Sequence, residues 1–130
     1  MKTTVMNPFS RVITLAGSNT ANLVPVYTPG KVLWLAAHEI THLQGEGNYT
    51  YIHTRQGKRH IVSKTLKNVQ EILCADFLRV HKSYVINPEY ITARLDADML
   101  LMSCGHKVPI ARRRIREVQE RISIGYLAVG

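Results

Sequence analysis

The stretch FLRVHKSYVINP, residues 77–88, constrains the fold of this chain more than any other. Polar and apolar residues alternate along it, which predicts that Arg79, His81 and Ser83 share one face of an extended segment. An Asn-Pro pair then ends the pattern, because proline has no backbone N–H to donate to a neighbouring strand. The pattern predicts two short strands joined by a polar corner.

Most of the remaining chain has the same character. Turn-forming residues at 45–48, 56–58 and 96–98 separate short runs rich in apolar, β-branched and aromatic residues. The predicted strands, after a first one near Val24, are Val32–Leu35, Ile40–Gln44, Tyr49–Thr54, Arg59–Val62, Tyr90–Leu95, Met99–Ser103 and Lys107–Ile110. We expect Tyr49 and Tyr51 to be core residues of their strand.

Two segments have helical periodicity instead. Apolar residues recur at spacings of three and four from Leu66 to Leu73, which predicts an amphipathic helix with Ser63 as its N-cap. A second helix is predicted after Ala111. The expected architecture is mostly β, in one domain over residues 24–122. Residues 1–23 are predicted to be an extension with room for one strand, and residues 123–130 a tail.

The charge of the chain favours a polyanionic partner. Its 130 residues carry 17 Lys and Arg against 9 Asp and Glu, a net charge of +8. Binding to nucleic acid phosphates releases condensed counterions, which favours such a basic protein. Five of the positive side chains lie within residues 106–116, so the charge is concentrated near the end of the chain.

Cysteine use and hydropathy predict a soluble, cytoplasmic protein. Two cysteines, Cys74 and Cys104, are too few for a disulfide framework, and Cys74 is expected to be a small buried hydrophobic residue. The N-terminus lacks the apolar core of a signal peptide. No apolar run is long enough to span a bilayer, so a membrane partner is not expected.

Four stretches, in order along the chain, resemble the LytTR family of DNA-binding domains. The strongest is residues 77–87, which is similar to the family pattern F-x-R-x-H-x-S-x-x-V/I-N. The others are Ile40–Gln44 with Gly47–Tyr49, Ser63–Lys67 and Lys107–Arg113. The resemblance covers residues 24–122, and it departs from the family at Ala111, where many relatives have serine.

The resemblance implies an elongated stack of three small antiparallel sheets with one or two short helices. It implies binding to double-stranded DNA through loops and strand ends that enter successive major grooves. Carried onto this chain, the base-contacting positions are Asn48, Lys82 and Arg112. Arginine and lysine can donate to guanine, and asparagine can pair with adenine.

The neighbouring polar residues suit phosphate anchoring. These are Arg79, Ser83, Lys107, Arg113 and Arg114. Simpler interpretations stay open: His81 as a hydrogen-bonded structural histidine, Asn48 as a left-handed turn residue, and the arginines as a solvated helix face.

The family commonly occupies two direct repeats, so a second copy of the chain on DNA is expected. Most relatives carry a receiver domain, for which this chain has no room. We therefore expect a stand-alone transcriptional regulator without catalysis, cofactor or metal. A signalling partner is left open.

The segment His38–His42 supports a rival hypothesis, because it matches the zinc-peptidase motif H-E-x-x-H. On a helix, the two histidines would bind zinc and the glutamate would act as general base. Asn48 replaces the third ligand of the longer metzincin motif, and Gly45 and Gly47 disfavour a helix. A zinc metallopeptidase is therefore an alternative only, as is a protein-interaction module that does not bind DNA.

Overall fold

The computed structural model describes residues 22–129, so residues 1–21 of the predicted extension lie outside the described range. Ten strands and two α-helices are found within it. The strands are β1 (Leu23–Thr28), β2 (Lys31–Ala36), β3 (Ile40–Glu46), β4 (Tyr49–Thr54), β5 (Arg59–Val62), β6 (Leu78–His81), β7 (Tyr84–Ile86), β8 (Ile91–Asp96), β9 (Met99–Met102) and β10 (Lys107–Pro109). The helices are α1 (Leu66–Leu73) and α2 (Ile115–Val129), and 3-10 turns lie at Ala37–Glu39, Pro88–Tyr90 and Arg112–Arg114.

The strands form three antiparallel sheets, which confirms the predicted mostly-β architecture. The hairpin β1–β2 stands alone, β8, β9 and β10 form a sheet in the order β10-β9-β8, and the central sheet has the order β5-β4-β3-β7-β6. Tight turns make these short antiparallel connections. Gly47 and Gly57 adopt the positive φ values of 62° and 87° that such turns need.

The central sheet separates two hydrophobic cores. Its first face, here called the helix face, packs Leu43, Ile52 and Val85 against α1 and the β1–β2 hairpin. Its second face, here called the sheet face, packs Leu78 and Ile86 against the three-stranded sheet and the start of α2. Alternating strand residues therefore enter two different cores.

Two irregularities interrupt the regular pairing of strands in the central sheet. A register shift between Ile40 and His42 lets Ile40 and Leu43 both enter the helix-face core, although they are three residues apart. A second shift in the pairing lies between Arg79 and His81, but the predicted alternation is confirmed there, because Leu78 is buried while Arg79 and His81 are half-buried. Val80, between them, is fully buried.

Helix α1 confirms the predicted amphipathic helix but not its predicted ends. Thr65, not Ser63, is the N-cap, because its Oγ1 accepts a hydrogen bond from the N–H of Asn68 at 3.2 Å. Cys74 closes the helix in a left-handed conformation with φ of 47° and is exposed. The prediction of a buried Cys74 is therefore wrong, since a helix-ending residue turns its side chain away from the apolar face.

Strand β4 corrects the prediction that its tyrosines are core residues. Tyr49 is 50% exposed and Tyr51 is half-buried, whereas Thr50 between them is fully buried. The hydroxyl of Thr50 donates to the carbonyl of Lys64 at 2.7 Å, which satisfies a polar group inside the sheet. The register of the strand therefore places Thr50, not the aromatic rings, on the helix face.

The predicted closing helix is confirmed as α2, and it continues to Val129 through the residues assigned to a tail. Val118 and Ile115 of this helix pack into the sheet-face core. Within residues 22–129, no helix combines the length and apolar character required to cross a membrane.

Candidate nucleic-acid interface

The turn between β3 and β4 presents Asn48 to solvent. Gly47 takes the left-handed conformation of this turn, and Cys74 is the one non-glycine residue with positive φ in the described range. The tight-turn explanation of Asn48 is therefore wrong, because glycine already supplies the strained position. The backbone does not require asparagine here, which leaves its exposed amide group available for recognition.

The turn between β6 and β7 presents Lys82 and is held by its own side chains. The guanidinium of Arg79 donates to the carbonyl of His81 at 2.8 Å and to that of Lys82 at 2.6 Å. The N–H of Ser83 donates to Nδ1 of His81 at 3.1 Å. His81 is thus hydrogen-bonded within the turn, as the simpler interpretation expected, and Lys82 projects from an ordered corner.

These two turns lie at the same end of the central sheet. Strand β3 pairs with both β4 and β7, with Gln44 opposite Tyr51 and Tyr84. Beyond this pairing, the N–H of Gly45 donates to the carbonyl of Ser83 at 2.8 Å. Asn48 and Lys82 therefore extend from adjacent corners of one sheet.

Arg112 joins this end through a different bond. The N–H of Ala111 donates to the carbonyl of Val80 at 2.7 Å, which ties the chain before Arg112 to edge strand β6. Val80 lies at the register shift of β6, which disrupts regular pairing at that point. Val80 precedes Lys82 by two residues, so the exposed Arg112 begins its 3-10 turn close to the Lys82 corner.

The remaining predicted contact residues differ in their surroundings. Arg113 is exposed beside Arg112, and Arg114 forms an ion pair with Glu117 at 3.7 Å while its Nε has no hydrogen-bond partner among residues 22–129. Burial, and then the nearby positive charge of Arg114, lowers the pKa of Arg79. Lys107 is exposed at the start of β10, in the three-stranded sheet.

The H-E-x-x-H segment is not helical across its length. His38 and Glu39 lie in a 3-10 turn, and Ile40 begins β3, so the two histidines are not one helical turn apart. The carboxylate of Glu39 accepts a hydrogen bond from the N–H of Ala36 at 2.8 Å. This geometry does not support the metallopeptidase alternative, because the motif needs both histidines on one helix face.

A histidine cluster that the sequence reasoning missed lies on the sheet face. The ring centroids of His42 and His53 are 4.0 Å apart, and His106 lies 4.5 Å from His53 and 5.4 Å from His42. Burial, followed by the charges of His53 and His106, lowers the pKa of His42 to about 3. Burial, followed by the charges of His106 and Arg59, lowers the pKa of His53 to about 4.

The sequence carried one signal for this cluster. In the hairpin β3–β4, His42 stands directly opposite His53 once the turn and register are fixed. His106 joins them only through the packing of the two sheets, which no spacing rule could reveal.

The family model for the LytTr DNA-binding domain matches residues 30–123, most of the chain. The chain belongs to the LytTR family of DNA-binding domains. Its three antiparallel sheets are also similar to a solved structure, the LytTr DNA-binding domain of a protein described as a methyl-accepting/DNA response regulator from Bacillus cereus. That match has a TM-score of 0.64 and 19% identity, and covers 76% of this chain and 94% of the other, so it shows the shared LytTR fold.

Two curated relatives of this LytTR chain come from Paraburkholderia xenovorans (strain LB400). They are the heme-containing CO-sensing transcriptional regulators RcoM 1 and RcoM 2, which are 30% and 28% identical to it over 107 residues. Each alignment covers 78% of this chain and 40% of the relative. The chain therefore spans less than half the length of the curated relatives it matches.

Proposed function

We propose that this LytTR domain is the DNA-reading part of a transcriptional regulator, and that Asn48, Lys82 and Arg112 contact bases. One observation carries the proposal: two backbone hydrogen bonds, Gly45 to Ser83 and Ala111 to Val80, gather these exposed side chains at one end of the central sheet. Three loops held together in this way can follow the surface of a duplex without a recognition helix.

The three residue types suit direct readout of base edges. Arginine can donate two bonds to O6 and N7 of guanine, lysine can reach the same acceptors, and asparagine can pair with N6 and N7 of adenine. Lys82 and Asn48 extend from turns that internal hydrogen bonds or glycine geometry fix. Less conformational freedom is therefore lost when these side chains meet DNA.

The positive residues around the corner would hold the phosphate backbone. Arg113 is exposed, and the guanidinium of Arg114 is partly exposed and has more N–H donors than its ion pair with Glu117 uses, so both have donors for a phosphate oxygen. Ser83 and Lys107 are assigned the same role. Arg79 already donates two bonds to the turn, so its main contribution is to position Lys82.

The wider role of the protein extends this proposal. RcoM 1 and RcoM 2 are named transcriptional regulators, which supports a role for this chain in regulating transcription. The chain aligns with only 40% of each relative, so the proposal does not include their sensing of CO. We propose action in the cytoplasm, at paired direct repeats that hold two copies of the chain, without catalysis.

Selection of bound duplexes from a random DNA pool at near-physiological salt tests the proposal. We expect enrichment of a short motif, often in two copies separated by about one helical turn. A matched selection with the triple variant Asn48→Ala, Lys82→Ala, Arg112→Ala should enrich nothing, while circular dichroism shows a folded protein. An unenriched wild-type pool, despite binding at low salt, would show that the charge acts without sequence preference and would contradict the proposal.

A further inference from the structure

The histidine cluster contains a buried nitrogen without a partner. His42 is fully buried on β3, and its Nε2 has no hydrogen-bond partner among the described residues. A buried polar atom of this kind costs free energy, and most are paired in folded proteins. A ligand bound at Nε2 of His42 would offset this cost.

The other nitrogen of His42 is already engaged. Nδ1 lies 3.0 Å from the hydroxyl of Thr41, and that hydroxyl donates to the carbonyl of His53 at 3.1 Å. Because the hydroxyl has one hydrogen, it accepts from Nδ1–H of His42. Nε2 then carries the lone pair, in the way that a hydrogen bond at one nitrogen prepares the other for a metal.

His53 has a similar arrangement. Its Nε2 lies 3.2 Å from Oε1 of Gln44, an amide oxygen that can only accept, so Nε2 donates and Nδ1 keeps its lone pair. His106 is exposed in the loop between β9 and β10 and can adjust its ring. One nitrogen from each of the three rings lies within 4.8 Å of the others.

We propose that His42, His53 and His106 form a binding site for a divalent transition-metal ion of the zinc class. Imidazole nitrogens bind such ions at about 2.0–2.1 Å, so two ligands of a tetrahedral site are about 3.4 Å apart. The rings of His42 and His53 are now nearly parallel, with an interplanar angle of 7°, and must tilt for their nitrogens to converge. The exposed His106 closes the site from the opposite sheet.

The ligand set excludes the nearby thiol. Cys104 Sγ lies 3.9 Å from Nδ1 of His42 and 3.5 Å from the hydroxyl of Thr41, beside the nitrogen that is already bonded, and it is not part of the group whose ligand atoms lie within 4.8 Å of one another. The site therefore has three imidazoles and one position for water. Because His42 and His53 belong to the central sheet and His106 to the β9–β10 loop, the ion would fasten the two sheets together.

Zinc binding by the untagged chain tests the proposal, after removal of metal with a chelator. Calorimetric titration with Zn²⁺ should give about one ion per chain, and zinc should raise Tm. His106→Ala removes an exposed ligand at little risk to folding, and we expect zinc affinity to fall by about tenfold or more. His60→Ala, on the opposite face of the central sheet, and Cys104→Ser are the matched controls and should bind as the wild type does.

Long-range proton–nitrogen NMR spectra of the imidazoles add a readout that stability changes do not move. Zinc should shift Nε2 of His42 and Nδ1 of His53 and leave His60 unchanged. Wild-type affinity in His106→Ala, an equal loss in Cys104→Ser, or no zinc shift at the His42 nitrogens would each overturn the proposed site.

Discussion

The two faces of the central sheet use the same strands for different purposes. The helix face is filled by aliphatic side chains such as Leu43, Ile52 and Val69, all fully buried, under the hairpin and α1. The sheet face combines an aliphatic core with the cluster of His42, His53 and His106. The buried histidines are thus on the sheet face alone, where burial of their ring nitrogens is costly.

The two faces also differ in their connection to the proposed DNA-reading end, the end of the central sheet where Asn48, Lys82 and Arg112 lie. Residues beside the sheet-face core, including Val80 and Ala111, hold Arg112 next to the Lys82 corner. The helix face approaches this end mainly at Gly45, where an added Cβ would lie 3.2 Å from Cβ of Leu66. Substitutions in the helix face should therefore change stability, and those near the other face should change recognition or pH response.

The largest expected change in the free energy of unfolding comes from a substitution on the helix face. Leu43→Ala should lower the free energy of unfolding by about 2–5 kcal/mol, because it leaves a cavity in a fully packed site. Urea unfolding measures the change. Ile61→Ala on β5 is the control, since Ile61 is 51% exposed and should lose far less. Equal losses in the two variants would contradict the closed packing of this face.

Acid should destabilise the metal-free protein through the sheet face. The pKa values of His42 and His53 are lowered to about 3 and about 4, so both rings stay neutral in the folded state while the unfolded chain takes up protons below about pH 6.5. The contribution of these two neutral rings to stability is therefore fully present above about pH 6.5 and is lost as the pH falls toward 4. Lowering the pH from about 7 to about 5 should reduce the free energy of unfolding by on the order of 2–4 kcal/mol.

Urea unfolding at the two pH values, with a chelator present, measures this loss. Replacing one buried ring, as in His42→Phe, should reduce the loss, because one proton fewer is taken up on unfolding. The other titratable groups around the two rings, which include His106, Cys104, Tyr84 and Arg59, remain in the variant. An undiminished acid loss in His42→Phe would show that other groups control the response.

A smaller effect is expected at the N-cap of α1. Thr65→Ala should lower stability by about 1 kcal/mol, because the N–H of Asn68 loses its acceptor. Ser63→Ala is the matched control, two residues earlier and outside the cap, and should be close to neutral. Urea unfolding measures both losses. A larger loss of stability in Ser63→Ala than in Thr65→Ala would show that Ser63, as expected from the sequence, is the N-cap.

The smallest change concerns salt dependence at the DNA-reading end. Arg114→Ala should weaken binding to all duplexes alike and reduce the slope of log affinity against log salt by about one. Arg121→Ala, an exposed arginine later on α2, is the control. Fluorescence anisotropy over a salt series measures both slopes, and an unchanged slope in Arg114→Ala would exclude a phosphate contact there.

The sequence predicted the parts of the fold that depend on local pattern. Alternating polarity, turn residues and the change to helical spacing gave the strands, the turns and α1, and the family resemblance gave three sheets. It could not predict the register shifts at Ile40 and at Arg79, which depend on strand pairing. Those shifts decide which side chains enter each core.

The candidate sites also combine features that the sequence predicts with features that depend on tertiary packing. Asn48, Lys82 and Arg112 could be named individually from the resemblance, but the bonds that gather them join backbone groups far apart in sequence. Cys74 and Tyr49 were assigned to the core from local hydropathy, which does not report how a helix ends or which way a strand faces. The three histidines meet only through tertiary packing.

The central claim is that Arg112, held beside the Lys82 corner, reads a base. Random-pool selection with Arg112→Ala, compared with the wild type and with Arg121→Ala, tests it most directly. We expect Arg112→Ala to lose preference at one base position, with a cost of about 1–3 kcal/mol for the wild-type site, while Arg121→Ala selects the wild-type motif. If Arg112→Ala selected the same motif with the same affinity, the proposed reading surface would be wrong.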